Sequence, residues 1–189
     1  LDNRELAGRQ FSIHEILPIL RQLSAFLVES GIGVHGALCP RNVWIHPGNL
    51  KVTDCGLVQN LPPDAVAYKL SQSERDRRFV APEILSGRDY SSASDVYSLG
   101  VLLGELLTQK IFDGDLRVFE SVGDEVSDEM IFVLERSLQE KKRDRFEDAE
   151  KFLHSFCDAA QLPKPAFSRP VEPEPEEEES LGKLDLETD

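Results

Sequence analysis

The stretch Val34–Ile45 reads VHGALCPRNVWI and sets His35, Leu38, Pro40 and Asn42 at fixed offsets before a short strand. This is the cadence of a loop that presents catalytic groups. Between His35 and Asn42 stand Ala37 and Cys39, neither of which is a base or a cation. A methyl group neither accepts a proton nor orients a hydroxyl, so general-base chemistry has no obvious carrier here. His35 reads as a residue packed beneath the loop. Asn42 and Asp54 offer amide and carboxylate oxygens of the kind that suit a hard cation such as Mg²⁺. An isolated Asp-x-Gly such as Asp54-Cys55-Gly56 equally makes a turn. Cys39 and Cys55 have no basic cluster beside them in sequence to lower their pKa, which makes them small apolar residues rather than nucleophiles.

The elements that must position these residues are legible from periodicity. In SIHEILPILRQLSAFLVESGIG, Ser12 and Glu15 stand in capping-box spacing, and Ile13, Ile16, Leu17, Leu20, Leu23 and Leu27 form one helical stripe. Pro18 removes one backbone hydrogen bond in the second turn, which predicts a kink or a late start. Gly31 or Gly33 supplies the stop. NVWIHPGNLKVTD reads as a hairpin with strands at Val43–Ile45 and Leu50–Thr53 around the turn His46-Pro47-Gly48-Asn49. Residues 57–80 show no sustained period and end in SERDRR, so they read as an exposed loop. SSASDVYSLGVLLGELLTQK is apolar on more than one face and predicts a buried helix. Asp95 stands out on it, because a buried carboxylate needs partners. DEVSDEMIFVLERSLQE and RFEDAEKFLHSFCDAA predict two further amphipathic helices.

This order of helix, loop, hairpin, Asp54-Cys55-Gly56, long loop, Ala81-Pro82-Glu83, buried helix and two more helices resembles the C-terminal lobe of a protein kinase. The resemblance runs from about Leu6 to Cys157 and looks most like the Ser/Thr branch. It implies a mainly α fold, the helical lobe with a short β-hairpin. It also implies that Asn42 and Asp54 descend from metal ligands. Asp95 would accept hydrogen bonds from the loop backbone, and Glu83 would pair with Arg145 as scaffold. The departures are as informative. The family's loop H-R-D-L-K-x-x-N is here His35-Gly36-Ala37-Leu38-Cys39-Pro40-Arg41-Asn42. Its catalytic Asp is Ala37, its phosphate-neutralising Lys is Cys39, and its Arg, which answers a phosphorylated loop, is Gly36. D-F-G has lost its Phe to Cys55. The usual segment before A-P-E reads Arg75-Asp76-Arg77-Arg78-Phe79, so the substrate-docking stretch is altered too. The Gly-rich loop, the phosphate-pairing Lys and its Glu partner belong to the family's N-terminal lobe, and none of them is found in these 189 residues. The expectation is that this chain binds no ATP, with ATP and Mg possible only with that lobe.

Composition bounds the rest. The chain has 189 residues and a net charge of −14, with nine acids and one base from Val171 onward. Such acidity argues against nucleic acid or anionic membrane as the main partner. No apolar run approaches the roughly 18 residues that a membrane span needs. Three cysteines without paired spacing suit a reducing interior. The expected organisation is a kinase-like lobe over residues 1–160 and an acidic, Pro- and Glu-rich disordered tail over 161–189. The expected function is that of a pseudokinase, a protein-interaction or regulatory module that meets a protein partner in the cytoplasm or on the cytoplasmic face of a larger protein. The alternatives are a fragment of a divergent ATP-dependent Ser/Thr kinase, and a partial chain exposing an apolar patch near residues 1–10.

Overall fold

The computed structural model describes residues 11–46, 48–71, 73–121 and 126–168. Helix α1 spans Ile13–Glu29. The Glu15 carboxylate accepts from the Ser12 backbone N–H (3.1 Å) and hydroxyl (3.2 Å), fixing the first turn. Ile16, Leu17, Leu20 and Leu23 are buried on one face. The late start expected from Pro18 does not occur. Pro18 is exposed, and the carbonyl it leaves without a helical donor belongs to exposed His14, where water can serve.

A 3₁₀ turn at Pro40–Asn42 leads into β1 (Val43–His46), which pairs antiparallel with β2 (Asn49–Val52). The register Val43↔Val52 through His46↔Asn49 leaves a two-residue connection in which Gly48 takes φ 76°. Pro47 lies outside the described residues.

Residues 57–80 are not the exposed loop that their sequence suggests. They fold into α2 (Leu57–Asn60), α3 (Pro63–Ser71) and α4 (Glu74–Arg77), followed by α5 (Pro82–Leu85). Val58, Val66, Val80, Ala81 and Ile84 form a small apolar cluster of their own, with Tyr90 and Tyr97 packed against it. Burial of these few side chains, not local propensity, orders the segment.

The centre of the molecule is α6 (Ser92–Thr108), which is buried along almost its whole length. It packs against α1, against α7 (Asp128–Ser137) and against α8 (Ala149–Ala159). Contact with α7 is close because Gly100 carries no Cβ; one placed there would fall 2.1 Å from Ser137 Oγ. Leu99, Leu103, Leu134, Phe152 and Phe156 fill the shared core.

The expected tail boundary at residue 161 moves outward. Residues 161–168 run back across α8 and α1. Arg21 donates to the Pro163 carbonyl (2.5 Å), His154 Nε2 meets the Pro165 carbonyl (2.8 Å), and Ser168 N–H donates to Glu29 (2.8 Å). Phe167 stacks on the His154 ring with centroids 6.0 Å apart. Pro carbonyls accept hydrogen bonds as well as any others, so a Pro-rich composition did not prevent docking. The rest of the expected tail, residues 169–189, lies outside the described residues, as does the patch expected near residues 1–10.

Candidate functional site: a kinase-like loop without its base

The loop His35–Asn42 is held from below by the first turn of α6. Asp95 accepts the His35 N–H at 2.8 Å through Oδ2 and the Gly36 N–H at 2.7 Å through Oδ1. Burial is the largest influence on this carboxyl and pushes it up to about 7, while the Gly36 and His35 N–H groups pull it down.

His35 is buried, with Nε2 3.0 Å from the Thr53 carbonyl and Nδ1 3.3 Å from the Ala37 N–H. A carbonyl at one nitrogen and an N–H at the other define a neutral ring that donates from Nε2 and accepts at Nδ1. Burial lowers its pKa in the same sense, ahead of the opposing effects of the Thr53 carbonyl and Asp54. Its ring meets Phe26 edge-on at 6.5 Å. Both nitrogens are therefore committed to the backbone, and the ring braces the loop.

Asn42 is equally committed. Its Oδ1 accepts from the Cys39 N–H (2.9 Å) and its Nδ2 donates to the Ala37 carbonyl (3.0 Å). The Thr53 N–H donates to the Asn42 carbonyl (2.9 Å), which brings the backbone before Asp54 alongside the 3₁₀ turn. Asp54 is exposed and takes φ 64°, a left-handed conformation that Asp tolerates better than most residues. An exposed carboxylate and an amide occupied at both ends fall well short of the near-octahedral set that Mg²⁺ demands. Among the described residues, no group of three or more His, Cys, Asp and Glu side chains is placed to hold a metal ion.

Ala37 is 4% exposed, so the base position is an apolar, buried methyl group. Cys39 is buried beside it. Burial, followed by the Asp76 charge, pushes its thiol up, and burial does the same to Cys55. Neither is poised as a thiolate.

Gly36 takes φ 71°, and Val58 occupies the space where its side chain would begin. The segment carrying Val58 is tied down on both sides. Gln59 donates from Nε2 to the Ile32 carbonyl (2.8 Å) and also to the Val34 carbonyl, and the Tyr90 hydroxyl donates to the Val58 carbonyl (3.1 Å). Arg41 of the loop pairs with Asp76 of α4 (3.3 Å). Further along, Arg78 pairs with Glu105 (2.6 Å), and Ser98 donates to the Phe79 carbonyl (2.6 Å). Sequence reasoning missed these contacts. The one available signal was the glycine itself, since an absent side chain leaves room that something else must fill.

Glu83 and Arg145 meet as a bidentate pair, at 2.8 and 2.9 Å. All five guanidinium N–H donors are used, the others reaching the Ala93, Gln139 and Glu140 carbonyls. Ser94 adds a hydrogen bond to Glu83 at 2.7 Å. Burial raises the Glu83 pKa, but the hydrogen bonds from Arg145 and Ser94 outweigh it and leave the carboxyl below its ordinary value. The pair joins α5 to the turn before α8.

The helical lobe, the braced loop, the hairpin and this ion pair together define a kinase-type architecture. The Protein kinase domain family matches residues 12–167, and the chain belongs to that family. It is 36% identical over 95 residues to the mitosis inhibitor protein kinase SWE1 of Saccharomyces cerevisiae, covering 50% of this chain and 11% of that protein. It is 46% identical over 63 residues to a human ribosomal protein S6 kinase-related protein, covering 33% and 15%. With the serine/threonine-protein kinase PrkC of Bacillus subtilis it shares 34% over 108 residues, covering 55% and 16%. Its span is thus a small part of each relative's length. Among solved structures, the kinase domain of M. tuberculosis PknI superposes with a TM-score of 0.58 at 17% identity, covering 85% of this chain and 62% of that one. That likeness concerns the fold.

Proposed function

We propose that this chain is a pseudokinase lobe that acts by binding another protein and does not transfer phosphate. The observation that carries this reading is Ala37, a buried methyl group at the base position of an otherwise well-braced loop. A general base contributes about 10²–10⁴-fold in rate, and the Lys-like charge at Cys39 is missing as well. Asn42, with both amide ends engaged in the loop, supports the further proposal that neither ATP nor Mg²⁺ is a cofactor of these 189 residues. A reducing compartment, the cytoplasm or the cytoplasmic face of a larger protein, suits its three free cysteines.

The second reading is a fragment of a divergent Ser/Thr kinase. It draws on the retained Asn42 and Asp54 and on relatives that are themselves named kinases. A phosphotransfer assay with ATP and Mg²⁺ or Mn²⁺, on this chain and on any longer protein containing it, separates the two. The expected result is no turnover and no nucleotide-dependent thermal shift. Turnover near the ~1–100 s⁻¹ of active kinases would sink the pseudokinase reading.

A further inference from the structure

A groove of about 530 Å³ runs between α7 and α8, and none of its lining residues belongs to the loop His35–Asn42. That volume lies in the range of about 300–1,000 Å³ that receives a drug-sized group. Val133 and Phe146 are buried in its floor, and Ala159 closes one side. Phe132 stands in its wall at 62% exposure, a large apolar ring that nothing in the described chain covers.

Asp128, Phe132 and Arg136 follow one another at intervals of four along α7, so they share one stripe of the helix. The stripe is polarised. At its start, Asp128 and Glu129 are exposed, and neither forms an ion pair among the described residues. At its end, the Arg136 guanidinium lies 4.3 Å over the Phe146 ring and is already engaged. Asp158 on the opposite rim pairs with Lys164 at 2.7 Å. Three of the lining side chains are acidic and one is basic, so the groove is net negative. The Glu129 carboxylate accepts from the Ser127 hydroxyl and from its own backbone N–H, and the acidic end of the groove lies at the α7 N-terminus beside the exposed ring.

We infer that the α7–α8 groove is a docking site for a cationic amphipathic segment of a partner protein. An apolar side chain of the segment packs on Phe132, and a Lys or Arg is received by Asp128 and Glu129. Helix-in-groove recognition of this kind takes its affinity from a few apolar anchors. The chain's net charge of −14 favours approach of a cationic partner. The inference rests on the reading of the chain as a binding module, and it supplies the surface that reading needs.

The test is fluorescence anisotropy on the full 189-residue chain, without nucleotide. The probes are a labelled Leu/Lys amphipathic peptide, its Leu/Glu counterpart, and a Lys/Ser peptide of equal length and charge. Saturable binding is expected for Leu/Lys alone. Phe132→Ser, at an exposed position that leaves the core intact, should weaken it about tenfold, equivalent to roughly 1.4 kcal/mol. Asp128→Lys combined with Glu129→Lys should weaken it similarly, with an unchanged melting temperature in the Phe132 variant as the control for folding. Binding of Leu/Lys and Lys/Ser peptides alike would mean charge alone, and it would overturn the inference. So would binding that Phe132→Ser leaves untouched, or no binding at all. Phosphotransfer activity bears on the pseudokinase reading and not on this measurement, so the two fail separately.

Discussion

Val58 packs its isopropyl group where a side chain at Gly36 would have to start: a Cβ at Gly36 would lie 2.5 Å from Val58 Cγ1. Loop and segment are therefore fitted to each other. Restoring the family's residue with Gly36→Arg would force a long side chain into that space at φ 71°. Overpacking of this kind costs about 1–3 kcal/mol. We expect Gly36→Arg to lower stability by that amount in urea denaturation, and Val58→Ala in the same chain to recover part of it. A Gly36→Arg variant as stable as the wild type would contradict the fitted interface.

The buried polar frame ranks three further variants. Arg145→Ala leaves Glu83 buried without its cation, a loss of about 3–5 kcal/mol. Asp95→Ala strands two buried N–H groups, at about 1–3 kcal/mol each. We expect both to lower the melting temperature far more than Glu135→Ala, a change at an exposed helix position, does. Equal small shifts for all three would show that neither contact holds the lobe together.

Stability should respond to pH through three buried groups, Asp95 in one sense and His35 and Glu83 in the other. Asp95, raised to about 7, contributes stability that is fully present below 3.8 and is lost as pH rises through 7. His35, held below 6.5, contributes in reverse: the unfolded chain takes up the proton first, so stability is lost as pH falls below 6.5. Glu83, lowered by Arg145, adds a loss as pH falls below 4.5. In melting curves from pH 4 to 7.5, the gap between wild type and Asp95→Asn should shrink as pH rises. A constant gap would mean that Asp95 is ionised throughout.

The segment 57–80 should be ordered without phosphorylation. The Val66 N–H donates to Pro62, Phe79 to Asp76 and Val80 to Arg77, all at 3.0–3.1 Å. Ser73 already caps α4, and Gly36 offers no cation to receive a phosphate. Hydrogen exchange should show these amides protected in the unmodified protein, with no new protection after phosphorylation of Tyr68, Ser71 or Ser73. Fast exchange that slows on phosphorylation would reverse the conclusion.

Helices α1, α7 and α8 were legible in the sequence because each repeats its apolar residues at helical spacing, and α6 because it is apolar on more than one face over 17 residues. Segment 57–80 was not, since its buried residues Val58, Val66 and Val80 are spaced too widely to make a period. Their partners, Gly36 and Tyr90, lie far away along the chain. The strap at 161–168 was hidden for a related reason: its hydrogen bonds use its backbone groups, which carry no residue signature. The absence of a base at position 37 needed only the letters. That Asn42 spends both ends of its amide inside the loop needed coordinates.

The separation of Glu83 from Arg145 along the chain also orders events during synthesis. Asp95 meets N–H groups of His35 and Gly36, which leave the ribosome before it. Glu83 must wait for a partner 62 residues later, roughly 3–12 s at about 5–20 residues per second. For the last 37 of those residues the apolar α6 is already made, while the carboxylate that must be buried against its start has no cation. The buried polar frame of the lobe is therefore completed only once Arg145 has been made.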